Sequence, residues 1–154
     1  MPVSVRVLQD TKMAGVAKLG LRLRALAASR VLVGIPEGKT EPDGTSTAQV
    51  GAWNEFGTAT IPERPWLRTG ITRNLPYFKR VNEANLRAVM DGRMAVGTAL
   101  DILGVAAAGK VKENLIKGPW TPNAPSTIAA KGSDKPLIDS TQLVNSISHE
   151  VEAA

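Results

Sequence analysis

Apolar and polar positions alternate at the start of the chain, where Val3, Val5 and Val7 are separated by Ser4 and Arg6. A period of two predicts a short half-buried strand. The period then changes. Val16, Leu19, Leu23 and Leu26 recur at spacings of three and four, so a helix capped by Asp10 or Thr11 is expected, fading near Ser29. Val31 to Ile35 is a β-branched apolar run stopped by Pro36 and Gly38, and reads as a strand. The segment 37–46 combines Gly, Pro, Thr and acids with no large apolar side chain, and is expected to be a flexible loop that orders on assembly.

Val50, Trp53 and Phe56 recur every three residues between Thr47, a possible cap, and Gly57. That run permits either a short helix or a strand. Pro62 and Pro65 then impose an extended, stiff path, because each removes a backbone donor and restricts its predecessor. A helix can begin at Trp66 until Pro76 interrupts it. The run from Pro76 predicts a second helix ending at Gly92. From Arg93 to Gly118, Val96, Leu100, Leu103, Ala107, Val111 and Leu115 form one apolar face of a long helix. Gly97, Gly104 and Gly109 weaken that helix by about 1 kcal/mol each relative to alanine, and suggest close packing. The segment 118–137 is a long Pro-rich loop in which Trp120 and Ile128 seek burial. Asp139 can cap a short helix through Val144, and the alternation from Ser146 to Val151 predicts a last strand.

These elements describe one α+β domain spanning residues 1–154. A small, mostly antiparallel sheet, from Val3–Val7, Val31–Ile35 and the C-terminal segment, packs against two or three helices joined by long ordered loops.

Composition narrows the chemistry. The 154 residues include no cysteine and one histidine, His149. Disulfides, thiolate metal sites and cysteine nucleophiles are excluded, and a histidine-based triad or metal site has little to work with. His149 is expected in solvent, and no nearby base serves Ser126, Ser140 or Ser146. The Glu55–Glu63 pair could supply an acid and a base, but no third group supports it. A salt bridge to Arg64 or Arg68 is the expected role. Lys131, Gly132, Ser133, Asp134 and Lys135 lack the residue order of a phosphate loop, so the glycine reads as a turn. No enzyme activity and no cofactor are expected.

The net charge of +5 permits contact with nucleic acid or an acidic protein surface. Basic residues are dispersed, with no run of five like charges, and Arg22 and Arg24 are expected to be solvated. Aromatic residues make up 4% of the chain, too few for a base-stacking platform. Trp53, Trp66 and Trp120 therefore read as core or interface anchors. No signal peptide or membrane-spanning segment is expected.

Two runs carry a resemblance. "WNEFGTATIPERPWLR" (53–68) and "GPWTPNAPSTIAAKGSDKPLIDSTQLVNSI" (118–147) resemble, in order, the two signatures of the tail-completion and neck proteins of tailed bacteriophages. The resemblance extends over residues 10 to 151. Trp66 replaces the family's usual Phe, and Ser140-Thr141 replaces a common Thr-Gly, removing a turn glycine.

The resemblance implies a structural virion protein made in the host cytoplasm and placed at the neck. It would form a homo-oligomeric ring, hexameric or alternatively dodecameric. That ring would contact the tail terminator or tube protein on one side and the head connector or head-closure protein on the other. Contact with DNA in the lumen would be passive. Glu55, Phe56, Pro62, Arg64, Pro65, Trp66, Arg68, Trp120, Pro122, Lys131, Lys135 and Asp139 are then the interface candidates. Phe56 and Trp66 would act as apolar anchors, and Glu55, Arg64 and Arg68 as ion-pairing groups. The alternative is a basic nucleic-acid-binding morphogenesis protein.

Overall fold

Val111 and Leu115 have no exposed surface, and around them gather Trp66, Ala108, Leu137, Leu143 and Ile147. In the computed structural model this core is built on the long helix expected from the apolar face of residues 96–115. The structure describes residues 3–132, 134–137 and 141–153. Asp139 lies outside them.

The elements run α1 (Val3–Ala27), β1 (Ser29–Gly34), α2 (Thr47–Phe56), α3 (Trp66–Thr72), α4 (Leu75–Met90), α5 (Val96–Lys117), α6 (Pro125–Lys131), α7 (Gln142–Ser146) and β2 (Ser148–Ala153). The fold is α+β. β1 and β2 pair antiparallel, with Val31 opposite Val151 and Val33 opposite His149. Val31, Val33, His149 and Val151 share the more buried face, and the sheet packs on α5. On the other face Arg30 stands opposite Glu152, and their side chains form an ion pair at 2.6 Å.

Val3–Val7 is not a strand. These residues open α1, which runs unbroken to Ala27. No proline separates Val3 from the helical stripe that follows, and Gly15 lies within the same unbroken helix. Once a helix is nucleated, each added residue gains a hydrogen bond, and this outweighs a five-residue alternation with no strand beside it. The sheet is accordingly two-stranded among the described residues.

Trp66 anchors α3 against α5. Gly70 lets the helices touch, since a Cβ there would lie 3.1 Å from the Val111 Cα. Asn114 on α5 donates to the Trp66 carbonyl at 2.7 Å and to the Thr69 hydroxyl at 2.8 Å. α4 returns along α5, where buried Asn85 donates to the Ala99 carbonyl at 2.9 Å. His149 is not in bulk solvent. Its ring packs over Gly104 of α5, and its Nε2 lies 2.7 Å from Asp101 Oδ1. Of the three α5 glycines, Gly104 is the one with a close neighbour; a Cβ at Gly97 or Gly109 would meet nothing within 4 Å.

Three further local differences appear. Thr47 does not cap α2. Ser46 holds the cap position, and Thr47 is fully buried inside the first turn. The segment 37–46 closes on itself within the chain, through a Thr40–Ser46 bridge and a 2.9 Å bond from the Thr47 amide to the Lys39 carbonyl. The 118–137 segment contains the short helix α6, begun by Pro125, where a missing donor costs nothing.

Candidate protein-interaction site

The path from α2 to α3 is a tight loop closed at its base by Asn54 and Arg64. Gly57, at φ +74°, leaves the end of α2 in a conformation that suits glycine, and a Cβ there would crowd the Glu63 amide at 3.1 Å. The Thr58 hydroxyl accepts from the amides of Thr60 and Ile61 at 3.2 and 3.0 Å. The Arg64 amide then returns to the Asn54 carbonyl at 2.7 Å.

Glu55 is 4% exposed, and it caps the next helix. Pro65 holds the α3 cap position and has no polar side chain to offer. The Glu55 carboxylate takes that role, accepting from the amides of Leu67 at 2.7 Å and Arg68 at 3.2 Å. Negative charge at a helix N-terminus meets its unsatisfied N–H groups and its dipole. Arg68 Nε completes the arrangement, 3.3 Å from the same carboxylate, and Arg68 also pairs with Glu63 and lies over the Phe56 ring at 5.8 Å. Both acids of the Glu55–Glu63 pair are thus held by Arg68.

Arg64 departs from its expected role. It is 4% exposed, and its donors meet neutral acceptors. Its Nη1 donates to Asn54 Oδ1 at 3.0 Å, its Nε to the Thr121 carbonyl at 2.9 Å, and its Nη2 to the Pro122 carbonyl at 3.3 Å and Asn123 Oδ1 at 3.0 Å. The reason lies in the proline content of the facing loop. Each proline removes an N–H donor and keeps its carbonyl, so the segment has surplus acceptors. Arginine carries five donors and no acceptor. Burial lowers the Arg64 pKa from the ordinary arginine value. The signal in the sequence was an arginine between two prolines, but nothing in its spacing names residues 57 to 59 positions away.

Trp66 is 2% exposed, and its Nε1 donates to the Gly51 carbonyl at 3.2 Å. Gly51 makes this possible, for a Cβ there would lie 2.7 Å from Ile35 Cδ1. Trp120 is half-buried and donates to the Leu115 carbonyl at 2.8 Å, its ring lying on Gly118.

Phe56 is not an anchor within the chain, being 69% exposed. It projects at the C-terminal end of α2, where the helix has no further turn to fold it inward. Pro62, Pro122 and Lys135 are also exposed, and Lys131 closes α6. The structure therefore brings Glu55, Arg64, Pro65, Trp66, Arg68 and Pro122 into one assembly and leaves Phe56 on its surface.

Two concavities flank α2. One, about 280 Å³, is lined by Ile35, Ala48, Ala52, Phe56, Trp66 and Leu67 among others. The other, about 510 Å³, lies between Trp53, Pro62, Arg64, Asn123 and the 41–43 turn. Among the described residues, no three His, Cys, Asp or Glu side chains are grouped to hold a metal ion, and no helix is long and apolar enough to cross a membrane.

Compared with family models, curated proteins and solved structures, the chain matches none.

Proposed function

We propose that the protein is a structural component of a tailed-phage virion that completes the tail and joins it to the head. It would do so as a ring contacting the tail terminator or tube on one side and the connector or head-closure protein on the other. The observation that carries this reading is the Arg64 junction. The two runs that resemble the neck-protein signatures lie far apart in the chain, yet Arg64 of the first donates to Thr121, Pro122 and Asn123 of the second. Residues shared with a signature and gathered around one buried arginine suit a part that must be placed accurately.

Thr141 supports the same reading. It stands where the signature has glycine, and it holds φ +60°, a backbone conformation glycine adopts without cost. The glycine of the family pattern and the geometry of this position agree.

The polar groups of the site are spent on capping and bridging, which favours a scaffold over a catalyst. The test is a nonsense allele in the encoding phage, together with antibody labelling of virions. Labelling at the head–tail junction, with filled heads and free tails accumulating in the mutant, is the expected result. Normal virions from the mutant would overturn the reading. The basic excess of α1, with Arg6, Lys12, Lys18, Arg22 and Arg24 against Asp10 alone, favours nucleic-acid binding as a second reading. It predicts duplex affinity that falls steeply with added salt.

A further inference from the structure

We propose that the outward face of α5 pairs, antiparallel and about a two-fold axis, with the same face of a second copy of this chain. The contact does not depend on the virion reading.

The inner side of α5 is settled within the chain. Leu100, Gly104, Ala107, Val111 and Leu115 are buried, and the helix packs on α3, α4 and both strands. The opposite side carries a second stripe. Thr98, Ile102, Val105, Gly109, Lys112 and Ile116 follow one another at alternating steps of four and three. That mean step of 3.5 residues is the period of a helix that pairs with another helix. Ile102, Val105 and Ile116 are 39%, 57% and 50% exposed, and Thr98 and Gly109 are exposed with them. At 1.5 Å per residue the stripe runs for roughly 27 Å.

Gly109 is a separate observation. A glycine inside a helix weakens it relative to alanine. Gly104 has a reason within the chain, the His149 ring. At Gly109 a Cβ would meet nothing within 4 Å, so nothing in the single chain calls for a glycine there. On an exposed stripe the missing side chain leaves a hollow that a side chain of another helix can enter.

The stripe identifies its own occupant. Turned end for end about Ala107, it sets Thr98 against Ile116, Ile102 against Lys112 and Val105 against Gly109 of the second copy. Each pair forms twice by symmetry. The branched Val105 side chain then faces the Gly109 hollow. Lys112, the one charge in the stripe, enters the space edged by Thr98, Asp101, Ile102 and Val105 of the other helix, which brings its ammonium beside the Asp101 carboxylate. Asp101 can receive it. Its Oδ1 meets His149 Nε2 at 2.7 Å, yet the side chain is 63% exposed, and a carboxylate has about four acceptor sites. Lys110 and Lys117 are both held by Glu113, whereas Lys112 has no ion-pair partner among the described residues. A parallel pair would set Lys112 against Lys112 and hollow against hollow. A lone lysine in such a seam fixes register. The patch is self-complementary, so the contact is isologous and stops at two copies, apart from any head-to-tail contact that closes a ring.

The test is the mass of the full chain by light scattering over a range of concentrations, with circular dichroism as the fold control. The wild type is expected at an even multiple of 16.3 kDa. Val105→Glu should halve that mass. Gly109→Leu fills the hollow and raises helix propensity, so it should halve the mass while the helical signal is kept. Lys112→Glu and Asp101→Lys each bring like charges together twice, and each alone should weaken the pair by about tenfold or more. Mixed in equal amounts, the two variants restore opposite charges at both places, and the affinity should return towards that of the wild type. Asp101→Lys also breaks the His149 contact, and recovery in the mixture separates docking from that loss.

A monomeric wild type, a mass that Val105→Glu or Gly109→Leu fails to halve, or a mixture that binds no tighter than its components would overturn the proposal. Labelling of virions bears on the virion reading alone.

Discussion

Arg64 and Asn54 are bound to each other twice. The Arg64 amide donates to the Asn54 carbonyl at 2.7 Å, and its guanidinium donates to Asn54 Oδ1 at 3.0 Å. The first bond closes the α2–α3 loop. The second helps aim the guanidinium at the Thr121 and Pro122 carbonyls and at Asn123 Oδ1. Replacing Arg64 with methionine keeps much of the apolar stem and removes every donor. Buried acceptors are left unmet, and hydrogen bonds to a charged group contribute about 1.5–3 kcal/mol each. Because the freed segment can partly rehydrate, Arg64→Met is expected to destabilise by about 2–3 kcal/mol in urea denaturation. Cleavage by protease within 118–137 should rise with it. Arg64→Lys should recover little, since an ammonium cannot span the fork of acceptors.

Glu55 acts on a helix other than its own. Glu55→Ala should cost about 2 kcal/mol, near the upper end for a lost helix cap. Glu55→Gln keeps an acceptor and gives up the charge facing the dipole, so about 1 kcal/mol is expected. Chemical denaturation of the pair is the check. Equal stability of wild type and Glu55→Ala would remove the capping role.

Thr141 is a β-branched residue at φ +60°. The left-handed region costs an L-residue about 1–2 kcal/mol, and glycine enters it freely. Thr141→Gly is therefore expected to stabilise by about 1 kcal/mol after glycine's greater unfolded-state freedom is set against the relief. A rise in melting temperature checks this. A fall would mean that the Thr141 side chain contributes more than its backbone costs.

Gly104 and His149 are locked together by shape. A Cβ at Gly104 would lie 2.2 Å from His149 Cδ2, so the ring must move if alanine is introduced. Gly104→Ala should destabilise by about 1–3 kcal/mol from overpacking, against a helix-propensity gain of about 1 kcal/mol. Adding His149→Ala removes the clash. The double variant should be more stable than the two separate losses imply. Additive losses in a double-mutant cycle would show that the two positions do not communicate.

Where a single period governed a stretch, the letters were enough. The apolar face of α5, the apolar run of β1 and the alternation of β2 are all present, because side chains on one face of a regular element must share an environment. α1 shows the limit of that reasoning. Its first turn alternates like a strand, and only the continuity of the helix behind it overrides the pattern. Within the chain Trp66 is buried, and Arg68 pairs with Glu55 and Glu63. Phe56 and Arg64 exchange expectations: the apolar residue is outside and the charged one inside.

That exchange separates what the sequence determined from what the fold decided. Composition excluded thiol chemistry, periodicity placed the main helices and strands, and prolines set the stiff path from Ile61 to Trp66. These are local constraints, carried by each residue and its near neighbours. The fate of Arg64 depended on which carbonyls a distant proline-rich segment would leave without donors. The fate of Phe56 depended on where α2 would end relative to α3. Both are set by contacts between segments far apart in the chain, and no local period encodes them. The same holds for Glu55, a carboxylate whose role exists only because the helix it caps begins at a proline with nothing to cap it.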